Sequence, residues 1–227
     1  KLPRYYINLF GEQNGNMEIN LHARKKLNDR WSSILMAHGN YMEGMQDLQN
    51  DGFLDIPHAR QINLYNRWQY HSGNRLESQL GGRLIYDRRE GGQTGLTLPF
   101  GAVPYSTDVT NRRAEVFGKL GIVFPEKPSR SIGNILQLTT HQLDSRFGVR
   151  TYDASQRTLW VQSIYQNTLP ASNHEYKLGL NYRLDKWNEK IDSVDRVTTE
   201  SVPGAFVEYT YNHDEEFTLV AGGRADY

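Results

Sequence analysis

The stretch whose residue types come nearest to a known chemistry is DLQNDGFLDIPH (47–58). It sets Asp47, Gln49, Asp51 and Asp55 close to the spacing of a calcium loop, with Gly52 at the turn. Calcium takes several oxygen ligands from a flexible loop, and carboxylates at alternate positions supply them. His58 stands where such a loop would carry its bidentate glutamate, and Asp, Asn and Gly are ordinary turn formers, so a plain surface turn is the competing reading. His22, His38, His71 and His141 form neither an i, i+4 pair nor a zinc spacing, which fits hydrogen-bonding wall residues better than metal ligands. Glu18, Glu77, Glu115 and Glu208, with Arg83, Lys119, Lys177, Arg183 and Arg224, could be read as catalytic acids and bases. No Gly-x-Ser-x-Gly elbow, phosphate loop or His-Glu-x-x-His accompanies them, and the expectation is a protein that is not an enzyme.

The elements that must position these residues are strands. Period-two alternation runs from end to end in about eleven segments. HEYKLGLNYRLDKW (174–187) is typical, with Tyr176, Leu178, Leu180, Tyr182 and Leu184 on one face and Lys177, Asn181 and Arg183 on the other. Every second connection is short: 25–30, 72–75, 125–130, 170–175 and 212–216. The intervening ones are mostly long, at 43–60, 90–113, 144–157 and 186–201, with 12–16 the short exception. This parity suits an up-and-down meander with one tight end and one elaborated end. Trp31 to Tyr41 and Leu76 to Tyr86 exceed ordinary strand length, and about ten residues at a tilt of about 40° give an apolar band of about 25 Å. Aromatic residues close several of the apolar rows, among them Trp31, Tyr41, Trp68, Tyr70, Tyr176, Tyr182, Phe217 and Tyr227, as interfacial girdles would.

Composition narrows the classes. The 227 residues carry 26 Lys plus Arg against 26 Asp plus Glu, so no long-range field favours nucleic acid. With no Cys there is neither a disulfide framework nor a thiolate site. Mean hydropathy is −0.70, and no run of about eighteen apolar residues is long enough for a spanning helix. Transmembrane strands alternate and average out as polar, so a barrel is untouched by that test. Lys1 opens no secretory signal peptide, and the chain reads as a mature or internal piece.

Two architectures fit this pattern, and they differ in which face is inside. In a membrane barrel the apolar face meets lipid, and Arg83, Lys119, Lys177, Asn181, Arg183 and Arg224 face a wet lumen. In a soluble or surface-attached β-sandwich the apolar face packs on a second sheet, and long loops bind glycan or protein. The strand lengths, loop parity and girdles together favour the all-β transmembrane antiparallel barrel.

The segment PGAFVEYTYNHDEEFTLVAGGRADY (203–227) resembles the barrel of TonB-dependent outer-membrane receptors. GFLDIPHARQINLYNRWQY (52–70) with QLGGRLIYDRREGGQ (79–93) is similar to the smaller receptors of Bacteroidota outer membranes, the cobalamin-receptor-like branch above all. That resemblance implies a Gram-negative outer membrane, a plug domain and a closed barrel of about twenty-two strands. About half of those strands would lie within residues 1–227, with the plug and the rest outside them; the row Phe217 to Tyr227 also resembles an outer-membrane C-terminal signal, for which the alternative is a smaller complete barrel. It further implies TonB-coupled uptake of a scarce ligand such as cobalamin, haem or a ferric siderophore. The implied partners are the TonB-ExbB-ExbD complex acting through the plug, the lipid bilayer with its lipopolysaccharide, and a surface lipoprotein. The long loops would be extracellular, and the ligand-contacting candidates on them are Gln93, Phe100, Tyr105, Arg146 and Tyr152. Some cobalamin receptors of the family bind calcium in surface loops, which gives the 47–58 segment its one implied cofactor.

Overall fold

A computed structural model of the chain describes residues 3–44, 47–73, 75–94, 101, 103–169, 173–213 and 216–227. They form eleven strands: β1 Tyr5–Gly11, β2 Met17–Lys26, β3 Trp31–Met42, β4 His58–Ser72, β5 Leu76–Gly92, β6 Ser106–Phe124, β7 Lys127–Phe147, β8 Arg150–Thr168, β9 His174–Ile191, β10 Val194–His213 and β11 Phe217–Asp226. All eleven belong to one sheet in sequence order, each antiparallel to its neighbour. The alternation produces this because opposed residues share a face, so pairing apolar with apolar positions fixes the register. One cross-strand row shows it: Leu21, Ala37, Leu64, Leu84 and Ala114 stand directly opposite one another from β2 to β6.

Two segments expected as long loops are ladder instead. Residues 144–157 turn through Gly148 and Val149 alone, and residues 186–201 through Asp192 and Ser193 alone. In each turn the first residue has a positive φ, 62° at Gly148 and 52° at Asp192, as a two-residue II′ hairpin needs. The Asp192 carboxylate accepts from the Thr151 N–H at 2.9 Å and from Arg150 at 3.1 Å, tying the two neighbouring hairpins together. Past the apolar stretch both faces turn polar, so hydropathy falls to loop level while backbone pairing continues. The elaborated end therefore consists largely of tall hairpins, with β5 to β10 running 17 to 21 residues.

The sheet has no conventional core. Among the described residues the buried hydrophobic side chains are Met42 and Ala59, both on the polar face beneath the 47–57 segment. On the opposite face Leu9, Ile62, Leu80, Leu84, Val116, Leu138 and Leu180 are each more than half exposed. This apolar band crosses the sheet obliquely. The row through Leu21 reaches Lys186 in β9, six positions past Leu180, the middle of that strand's apolar run. Six residues of about 3.3 Å over seven strand spacings of about 4.8 Å correspond to a strand tilt of about 30° relative to the band. β1 and β11 are the two edges of the sheet and run parallel to each other.

Candidate functional site

The polar face gathers the charged positions read from the sequence. Arg83, Lys119, Lys177, Asn181, Arg183 and Arg224 all stand on it, as do Glu18, Glu77, Glu115 and Glu208. Period two places them there, and the partners of several lie two residues along or one to two strands across. Lys177 bonds Glu208 at 2.8 Å and Glu175 at 3.2 Å. Arg224 grips Asp226 through both oxygens, at 2.6 and 3.0 Å, and Asn181 donates to the same carboxylate at 3.4 Å. Arg183 meets Asp185 at 2.6 Å. Asp185 is the most buried polar residue described, and it also accepts from Gln156 at 3.0 Å and from Thr158. Lys119 lies 6.0 Å from the centre of the Phe117 ring. Apart from the buried Asp185, these pairs are open to water and screened by it, so they orient side chains along the wall more than they stabilise it.

Of the four strand histidines read from the sequence, three have polar partners along the wall, whereas the buried Nε2 of His22 has none among the described residues. His38 bonds Asn20 at 2.8 Å, His141 bonds Asn111 at 3.2 Å, and His71 lies 3.3 Å from Glu77 and 2.8 Å from Gln69. Among the described residues no three His, Asp or Glu side chains converge as metal ligands would. In the 47–58 loop the carboxylates serve the loop itself. Asp47 accepts from the Asp51 and Gly52 amides at 3.0 and 2.9 Å, and Asp51 from Phe53 at 2.9 Å. Asp55 accepts from the Leu48 amide at 2.6 Å and from the Gln49 side chain at 3.3 Å. In this arrangement the oxygens of Asp47, Asp51 and Asp55 are engaged by the loop's own donors, with Gln49 bonded to Asp55.

The four loop candidates among the described residues are not brought together. Gln93 and Tyr105 are locked together, with the Gln93 amide donating to the Tyr105 carbonyl at 2.8 Å and the Tyr105 amide to the Gln93 side chain at 2.9 Å. Gln93 also bridges to Phe53, which draws the 47–57 segment over the polar face. Arg146 and Tyr152 sit on β7 and β8 on opposite faces, Arg146 opposite Thr151 and Tyr152 opposite Ser145. The Tyr152 hydroxyl donates to Glu189 at 2.7 Å, and that bond holds its pKa above the ordinary phenol value. Phe100 lies outside the described residues.

Several features escaped the sequence reading. Apolar residues interrupt the polar face, including Ile34, Met36, Ile85, Ile135, Ile164, Trp160 and Trp187. Two aromatic rings there lie flat over glycines: a Cβ on Gly179 would run into Phe206, and one on Gly81 would stand 2.5 Å from Phe117. On the apolar face the short-turn margin is an aromatic belt. Trp31 and Tyr70 are 4.8 Å apart, Tyr165 and Tyr176 6.1 Å, and His174 and Tyr211 4.9 Å. Trp68 and Tyr182, read from the sequence as girdle residues, share one cross-strand row inside the band instead. Beyond the opposite margin the same face turns ionic, with Arg88 bonded to Asp108 and Glu90 at 2.8 Å each and Arg112 paired with Asp144.

Compared with known proteins, the chain matches no family model and no curated protein.

Proposed function

We propose that the sheet is part of the wall of an outer-membrane β-barrel belonging to a TonB-dependent receptor that takes up a scarce ligand. The observation that carries the membrane half of this reading is the oblique, uncovered apolar band. One face is apolar over the height of a bilayer core, aromatic at one margin and ionic beyond the other, with every strand in a single sheet. A soluble sandwich would need a second sheet over Leu180 and its neighbours, and among the described residues no strand packs over that face. A tilt of about 30° is near the 35–45° that closed barrels adopt.

Unpaired backbone edges are costly in lipid, so the edges of β1 and β11 need partners. Because these strands run parallel, closing eleven on themselves would give a parallel seam, whereas bacterial single-chain barrels have even strand numbers and antiparallel seams. Further strands beyond both edges satisfy the geometry, which agrees with the half-barrel reading. The receptor half of the proposal rests on the resemblance of 52–70, 79–93 and 203–227. The charged polar face would then line the lumen and meet the plug, and the tall hairpins would stand outside the cell.

Fractionation tests the first half: the full-length protein should stay with the membrane in salt, leave it in detergent, and show heat-modifiable gel mobility. Release by salt as a monodisperse monomer would overturn the reading. Growth of a deletion strain on limiting cobalamin, haem or ferric siderophore tests the second half. A defect confined to one of them identifies the ligand, and no defect on any scarce nutrient refutes uptake.

A further inference from the structure

Arg157 and Lys186 stand directly opposite each other on β8 and β9, on the apolar side of the sheet. Each is the first residue on that face beyond the apolar run, next to Leu159 and Leu184. Like charges at opposed positions repel across a ladder. The side chains around the pair on that face, from Leu138, Thr140 and Gln142 on β7 to Thr199 on β10, include no carboxylate. Asp185 points to the other face, where Arg183, Gln156 and Thr158 engage it. Asp144 belongs to Arg112, and Asp153 lies four positions along β8 opposite Lys190. Directly below the two cations, Ala114, Val116, Leu138, Leu159 and Leu184 line a shallow groove of about 460 Å³.

We propose that this is a binding site for a lipid of net negative charge whose phosphate is not neutralised within its own headgroup, in the surrounding leaflet on the side of the tall hairpins. The headgroup phosphate lies between the Arg157 guanidinium and the Lys186 ammonium, and an acyl chain follows the groove. The charge pattern selects an anion, because a phosphate is the group that converts the repulsion into two charge-assisted contacts. The position selects a lipid, since the cations crown an apolar groove continuous with the exposed band. This site rests on the reading that the apolar face meets lipid.

The test uses the full-length protein in phosphatidylcholine nanodiscs with or without phosphatidic acid, scored by native mass spectrometry for retained lipid. Wild type should retain phosphatidic acid about twenty-fivefold better than phosphatidylcholine, the product of two cationic contacts of roughly fivefold each. The double variant Arg157→Gln, Lys186→Gln should lose that preference and still enter the discs. Equal preference in both proteins overturns the site while leaving the barrel reading intact. Displacement of the lipid by inorganic phosphate overturns the lipid assignment in favour of a simple anion site. Failure of wild type to enter discs at all overturns the membrane reading on which the site depends.

Discussion

Replacing Leu180 by arginine puts the orientation of the wall to a quantitative test. Leu180 stands in the middle of the apolar run of β9 and is 67% exposed, so nothing on the sheet would shield the new charge. At the bilayer midplane arginine on the lipid face costs about 2–4 kcal/mol, which is roughly thirty- to nine-hundredfold in the folding equilibrium. The same substitution at Asn188 lies on the same face, eight positions on, or about 20 Å further along the membrane normal after tilt. There the cost should fall to about 0–1 kcal/mol. Arg183→Gln, on the polar face, leaves the buried Asp185 with Gln156 and Thr158 as its partners and should cost about 1–3 kcal/mol, independent of depth in the bilayer. The assay is urea unfolding of the full-length protein in phosphatidylcholine vesicles, read by heat-modifiable gel mobility. Equal losses for Leu180→Arg and Asn188→Arg, or no loss for Leu180→Arg, would refute the assignment of this face to lipid.

Gly179→Leu should destabilise the wall by about 1–3 kcal/mol, because its side chain takes the space of the Phe206 ring. Adding Phe206→Ala should recover most of that loss in the same unfolding assay. Asp47→Ala removes the acceptor of two backbone amides, so hydrogen exchange at Asp51 and Gly52 should quicken by about five- to thirtyfold, while EDTA leaves the wild-type rates unchanged. Protection of that loop by added calcium would contradict the geometry described for it. Asp185→Ala should cost more than Asp185→Asn, by about 1–2 kcal/mol, since asparagine can still accept from Gln156 and Thr158. Identical melting curves for the two variants would show that these bonds add nothing.

Strand identity, order and facing were legible because period two is a local property that pairing only amplifies. Lys177, Arg183 and Arg224 could be assigned to one face from parity alone, and their acids sit where parity placed them. Hairpin height was not legible. Residues such as Asp144 and Arg157 look like loop in hydropathy, because beyond the apolar band both faces of a strand meet water and alternation loses its contrast. The four described ligand candidates are not brought together, for a related reason. Arg146 and Tyr152 are close in sequence, yet a two-residue turn with a fixed register sends them to opposite faces. The Arg157 and Lys186 pair was hidden until the register set two distant cations side by side.

The tall hairpins have a mechanical consequence. From Leu138 to Phe147 the β7 strand rises nine residues, roughly 30 Å, while bonded to β6 and β8 along its length. Such a palisade can lean as a body, but it cannot fold inward without breaking a row of backbone bonds. Side chains on it therefore stand at fixed heights, like graduations on a ruler: Trp187 and Gln156 level with each other, then Glu189 and Ala154 one step higher, then Tyr152 and Ile191 above them. A molecule descending along this part of the wall would meet those groups in a set order.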